Sequence, residues 1–130
     1  MPEFTAGSSD PKALTLLRLS GDVGVDESGE GCWIEALAAW RVPVLMLAQP
    51  RPDGRFGGIV PASVAFAREL NLSLLGLVQL GGEWDAAARR SDGLPWCGCL
   101  QGPDDDPRGL ISCLRHRRGL VARAAVSASP

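Results

Sequence analysis

The stretch "VPVLMLA", residues 43–48 after Val42, contains five successive apolar residues and no polar alternation. A strand of that kind needs cover on both faces, which is the situation of a central strand in a parallel sheet. The proline marks where the strand begins. Three further segments read the same way: "ALTLLRLSG" gives a strand over Ala13–Leu19, "LSLLGLVQL" another over Leu72–Leu80, and "LPWCGCL" another over Leu94–Leu100. Between them lie segments of helical period. In "CWIEALAAW", Trp33, Leu37 and Trp40 recur at i, i+4 and i+7, with Ile34 and Ala38 beside them. After the glycine loop, Ile59, Ser63, Phe66 and Leu70 form one stripe, with Val60, Val64 and Ala67 next to it. Asn71 closes that helix in the left-handed conformation.

A short helix then follows "GGEW", with Trp84 placed at the surface, and a last one follows "GPDDD". In the last helix Asp106 is the N-cap, Pro107 the first helical residue and Gly119 the residue just past the end. The order is β-α-β-α-β-α-β-α. It predicts an α/β domain with a mostly parallel sheet of about four strands and flanking helices, Rossmann-like and three-layered. Residues 1–11, rich in Pro, Gly, Ser and Asp, read as a flexible arm. Residues 12–119 form the single domain, and residues 120–130 a loose tail.

Composition narrows the function. Of 130 residues, 45% are hydrophobic and 22% charged, a globular balance, and the net charge of −2 gives no electrostatic reason to expect nucleic acid or an anionic membrane. No segment has the apolar length of a membrane span, so the expected location is the cytoplasm. The four cysteines, Cys32, Cys97, Cys99 and Cys113, sit in apolar sequence and do not form a secreted disulfide framework.

The loop "PRPDGRFGG" lies between a strand and a helix, where backbone amides and the helix dipole can hold an anion. Its candidate binding residues are Arg51, Arg55, Gly57, Gly58 and Ile59. An ordinary turn between a strand and its crossover helix accounts for the same glycines. A phosphate loop of the G-x-x-x-x-G-K-[ST] type also needs a lysine and a hydroxyl, and neither follows Gly57 or Gly58. The chain's one lysine is Lys12.

A second constellation is Cys97-x-Cys99 followed by Cys113-x-x-His116: three thiols and the only imidazole, a set that zinc accepts. C-x-C is unusual spacing for structural zinc, and cysteines on a buried strand and helix serve equally well as small hydrophobes. His116, among Arg115, Arg117 and Arg118, reads as an exposed residue near a helix end. The aspartates 104–106 read as caps. With a single imidazole, no nucleophile-base-acid triad can be assembled.

Taken together, "ALTLLRLSGDVGV", "CWIEALAAWRVPVLMLAQP", "FGGIVPASVAFARELNLSLLGLVQLGG" and "LPWCGCL", within Ala13–Leu114, resemble the later two thirds of dethiobiotin synthetase and its relatives in the cobyrinic-acid synthase group of P-loop proteins. The shared motifs are the x-x-P-V-x-L-x junction at Arg41–Leu47, the G-x-I turn at Gly57–Ile59, L-x-L-x-G-x-V at Leu72–Val78 and L-P-x-x-G-x-L at Leu94–Leu100. The resemblance implies a nucleotide-binding scaffold, and the departures imply that its chemistry is lost. The family's strand, phosphate loop and helix lie before the region of similarity. Ser20 stands where the family's E-G-A-G-G segment has its carboxylate, with Asp22 close by, and Gln79 and Leu80 stand where the family has a base-reading asparagine.

The resulting expectation is a non-catalytic relative, a pseudoenzyme without a required cofactor. It would act as an interaction or assembly module, as a homodimer or within a larger complex. The alternatives are an anion- or nucleotide-binding regulator, and half of a split ATP-dependent enzyme.

Overall fold

The structure, a computed structural model, describes residues 16–19, 29 and 31–127. Seven elements follow one another: α1 (Trp33–Ala39), β1 (Val44–Ala48), α2 (Ile59–Glu69), β2 (Leu74–Leu80), α3 (Ala86–Ser91), β3 (Trp96–Leu100) and α4 (Arg108–Ser127). The strands pair in parallel in the order β1-β2-β3. The α/β class and parallel sheet therefore agree with the sequence reading, but the described residues hold three strands rather than four. Of the expected strand at Ala13–Leu19, residues 13–15 lie outside the described residues, and Leu16–Leu19 have no regular structure. Leu19 nonetheless packs against the cluster of Cys32, Ile34, Leu37, Ala67 and Leu72. The expected arm at 1–11, and Ser20 and Asp22, also lie outside the described residues.

Successive strand residues point to opposite faces, and this sorts the helices. Leu77 joins Ala48 and Val64 in a core cluster beneath α2. Its neighbour Gly76 faces Cys97 and Arg117 of α4 instead. Helices thus cover both faces of the sheet, with α4 lying over β2 and β3. On β1, Met46 and Ala48 pack toward α2, which leaves Leu47 on the opposite face, 54% exposed.

Several sequence expectations are corrected. The buried residues of α1 are Ile34 and Leu37, while Trp40 at its C-terminus is half exposed. In α2 the buried pair is Val64 and Ala67, and the Ile59/Phe66 stripe faces outward. Trp84 is half-buried, edge-on to Trp96 with ring centroids 6.0 Å apart. Gly119 does not end the last helix, which continues to Ser127. A single helical glycine costs only about 1 kcal/mol relative to alanine, and the helix formers of "LVARAA" continue the pattern beyond it. At the start of α4, Pro107 provides the carbonyl that accepts from Ile111 N, so Asp106 sits one position earlier than an N-cap. Its carboxylate accepts from Arg108 N at 3.1 Å. Asn71 does take the left-handed conformation, φ 54°.

Two irregularities shape the sheet. Val44 pairs with Leu74 and Leu45 with Gly76, so Leu75 is an extra residue in β2; Leu77 pairs with Trp96 and Val78 with Gly98, so Cys97 is an extra residue in β3. Each is a bulge, which leaves ladder groups in need of other partners. Arg117 supplies one from α4. Its Nη1 donates to Leu75 O at 3.1 Å and Pro95 O at 2.9 Å, and its Nη2 donates to Trp96 O at 2.8 Å.

Candidate functional site

In a parallel α/β sheet, ligands bind outside the carboxyl ends of the strands. Here that rim is built from the segment between β1 and α2, the glycine pair after β2 and the loop after β3. The three are tied together. A Cβ on Gly82 would stand 2.6 Å from Pro50 Cγ, and Gln101 Nε2 donates to Gly82 O at 2.6 Å. Beside this seam is a shallow open depression of about 330 Å³, lined by Gln49, Leu80, Gly81, Leu100, Gln101 and Gly102 among others.

The segment before α2 is a closed turn. Arg51 N donates to Arg55 O and Gly54 N to Arg51 O, both at 2.8 Å, while Asp53 Oδ1 accepts from Arg55 N at 2.9 Å. Gly54 has φ +80°, a conformation that favours glycine. The amides of Arg51, Gly54 and Arg55 are thus occupied by the loop itself. A phosphate cradle needs such amides turned toward the ligand. What can still face an anion is the mouth of α2 at Gly57, Gly58 and Ile59, where no side chain caps the helix. The guanidinium of Arg51 lies over Gly57, whose would-be Cβ is 3.3 Å from Nη2. Arg55 is exposed, as is Ile59. The structure therefore brings Arg51 to the glycine pair and holds Arg55 in the turn.

Gln79 is fully buried. Its Nε2 donates to Gly81 O at 2.9 Å and to Glu83 O at 3.0 Å, and its Oε1 accepts from Arg89 Nε at 3.3 Å. Both amide hydrogens are committed, so the side chain holds its own loop rather than presenting an edge to a base. Arg89 is the residue that sequence reasoning missed. From α3 it also donates to Gly54 O at 3.2 Å, pairs with Asp92 at 3.4 Å, and places its guanidinium carbon 4.5 Å from the Phe56 ring centroid and 5.2 Å from that of Trp96. It fastens the β1–α2 turn to the end of β2. Nothing in "AAARRSD" distinguishes Arg89 from Arg90, because the distinction arises only when three loops converge.

The four residues weighed as zinc ligands separate into a pair and two single residues. Cys97 and Cys113 are in side-chain contact. Burial pushes the Cys97 thiol up to about 11, against the opposing pull of the Arg117 guanidinium and with a further rise from Cys113. Cys99 lies beside Gln101, whose Nε2 is 3.2 Å from its Sγ; burial and Asp105 raise its thiol, and the Gln101 contact lowers it. His116 is exposed on α4. Among the described residues, no three His, Cys, Asp or Glu side chains are grouped so as to hold a metal ion. At the start of α4, hydrogen bonds from Arg108 hold the Asp106 carboxyl below the usual carboxylate range. Among the described residues no helix is long and apolar enough to cross a membrane.

No protein family, curated protein or solved structure matches the chain.

Proposed function

We propose that this chain is a non-catalytic interaction or assembly module, a degenerate relative of the dethiobiotin-synthetase group that works in the cytoplasm, and that its first partner is a second copy of itself. The observation that carries this reading is the width of the apolar surface on α2. At 3.6 residues per turn, the buried stripe through Val60, Val64 and Ala67 and the outward pair Ile59 and Phe66 are centred roughly 115° apart. The sheet covers the first. On the second, Ile59 is 62% exposed. Leu47 on β1, an edge strand among the described residues, adds exposed apolar surface on the other face of the sheet. Apolar patches and open strand edges of this kind are normally covered by a partner. The catalytic alternative has less to work with, because the amides of the Arg51–Arg55 turn and the carboxamide of Gln79 are already hydrogen-bonded within the chain.

Sedimentation across a range of protein concentrations tests the proposal. A dimer is expected, together with its conversion to monomer by Ile59→Glu combined with Phe66→Glu at unchanged helix content. A single monomeric species at every concentration, with no partner recovered on immobilised wild-type chain, would overturn it. A second reading, an anion-binding regulator at the mouth of α2, is favoured by the guanidinium of Arg51 over Gly57. Calorimetry with phosphate, ADP and ATP tests that reading separately, and absence of heat across the panel removes it.

A further inference from the structure

The contacts between β3 and α4 run in antiparallel order. A Cβ on Gly98 would meet Leu110 Cδ1 at 3.8 Å, the carbonyls of Trp96 and Pro95 bind Arg117 at 2.8 and 2.9 Å, and Cys97, which lies between, has Cys113 as its neighbour on the helix. Cys113 and Arg117 are four residues apart and share one face of the helix. Once Arg117 is fixed on the carbonyls of Pro95 and Trp96, Cys113 is carried over the next strand residue, Cys97. The bulge in β3 falls at this same residue, where Cys97 Sγ is 3.7 Å from Leu75 O. The other two thiols stand elsewhere: Cys32 is buried in the cluster with Ile34 and Leu37, and Cys99 lies against Gln101.

We propose that Cys97 and Cys113 form a reversible intramolecular disulfide that pins α4 to β3, with a small-molecule disulfide such as oxidised glutathione as the oxidant. In the first step the Cys113 thiolate attacks one sulfur of the oxidant. A mixed disulfide forms at Cys113, the oxidant's S–S bond breaks and one glutathione leaves as thiolate. In the second step the Cys97 thiolate attacks Cys113 Sγ, forming the internal bond and expelling the second glutathione. Two protein thiols lose two electrons and two protons, and one oxidised glutathione becomes two reduced ones. The order follows from the surroundings. Burial keeps Cys97 protonated at neutral pH, which makes it a poor first nucleophile. Its later attack is on the neighbouring sulfur that the anchored Arg117 turn of α4 carries over it, and the adjacent Arg117 guanidinium stabilises the thiolate as it forms.

The test uses the full chain and oxidised glutathione at mildly alkaline pH, followed by intact-mass measurement and non-reducing peptide mapping. The wild type is expected to lose two hydrogens and yield one linked peptide joining Cys97 to Cys113, with Cys32 and Cys99 still open to alkylation after unfolding. Its melting temperature should rise by roughly 10 °C on oxidation, reversed by a thiol reductant. Cys97→Ser should halt at a stable glutathione adduct on Cys113, whereas Cys113→Ser should remain unmodified at Cys97. The proposal is overturned if the oxidised wild type shows no internal link, a link through Cys99 or Cys32, a covalent dimer, or an unresolved glutathione adduct. The wild-type measurement decides the matter even where a serine variant folds poorly.

Discussion

Replacing Gly76 by alanine tests the account of the doubled bulge. A methyl group there would stand 2.5 Å from Cys97 Sγ, 2.6 Å from Pro95 O and 2.8 Å from Arg117 Nη1. The thiol and the guanidinium are ends of side chains and can swing aside. The Pro95 carbonyl cannot, because it accepts from Leu77 N at 2.9 Å as part of the β2–β3 ladder. Relief must come from displacing Arg117 or moving a strand. Overpacking of this kind costs about 1–3 kcal/mol. Gly76 also has φ +152°, a backbone conformation that L side chains rarely adopt, adding about 1–2 kcal/mol.

Gly98→Ala is the matched control. Its φ is +158°, but its methyl group would meet only Leu110 Cδ1, at an ordinary 3.8 Å. It should carry the backbone cost without the packing cost. We expect a loss of about 3–4 kcal/mol for Gly76→Ala and about 1–2 kcal/mol for Gly98→Ala. Urea unfolding followed by tryptophan fluorescence reads both, and with a slope of about 1.5 kcal/mol/M the Gly76→Ala midpoint should fall by roughly 2 M. Equal losses for the two variants, or a loss below about 1 kcal/mol for Gly76→Ala, would refute the idea that this position is closed by the bulge and its arginine.

Two further outcomes follow from the same geometry. Arg89→Met should cost about 2–3 kcal/mol in urea unfolding, because it leaves the buried Gln79 Oε1 without its arginine partner and removes a guanidinium placed over two rings; a change under about 0.5 kcal/mol would show that the side chain holds nothing together. Because the folded-state thiol of Cys97 is raised from 9.0 to about 11, it favours the protonated form, so its contribution is fully present below about pH 9 and is lost as the pH rises through about 11. Urea midpoints between pH 7 and 11 should therefore fall on the alkaline side, and less steeply in Cys97→Ser; identical slopes would contradict the assignment.

The strands were the most legible part of the chain. "VLMLA" forms β1 over Val44–Ala48, and β2 and β3 begin two residues inside the segments read from sequence. Uninterrupted apolar runs bounded by Pro, Gly and Asn leave few alternatives. The faces of the helices were less legible. In α2 both apolar stripes fit a helical period, and only the position of the sheet decides that Val64 is buried and Ile59 is not. The bulges could not be placed from sequence, because an extra residue is defined by what its partner strand does. Glycines at 76 and 98, in the middle of apolar runs, were the one available sign.

The site was legible in a different way. The turn and its arginines stood where expected after β1, but whether its amides are offered to a ligand or spent on one another depends on backbone dihedrals that the letters do not carry. Of the four residues weighed as zinc ligands, Cys97 lies on the strand and Cys113 on the helix beside it. Cys99 lies against Gln101 instead, and the extra residue at Cys97 interrupts the alternation that would otherwise put positions 97 and 99 on one face.

Arg117 lies 42 residues beyond Leu75, whose carbonyl it holds. On a ribosome, β1 and β2 emerge well before this guanidinium does, at a rate of about 5–20 residues per second. Until then the middle of the sheet has hydrogen-bonding groups that only water can serve. A nascent chain halted before Arg117 would therefore present an unfinished sheet to chaperones and proteases, and completion of the domain would be tied to the arrival of its final helix.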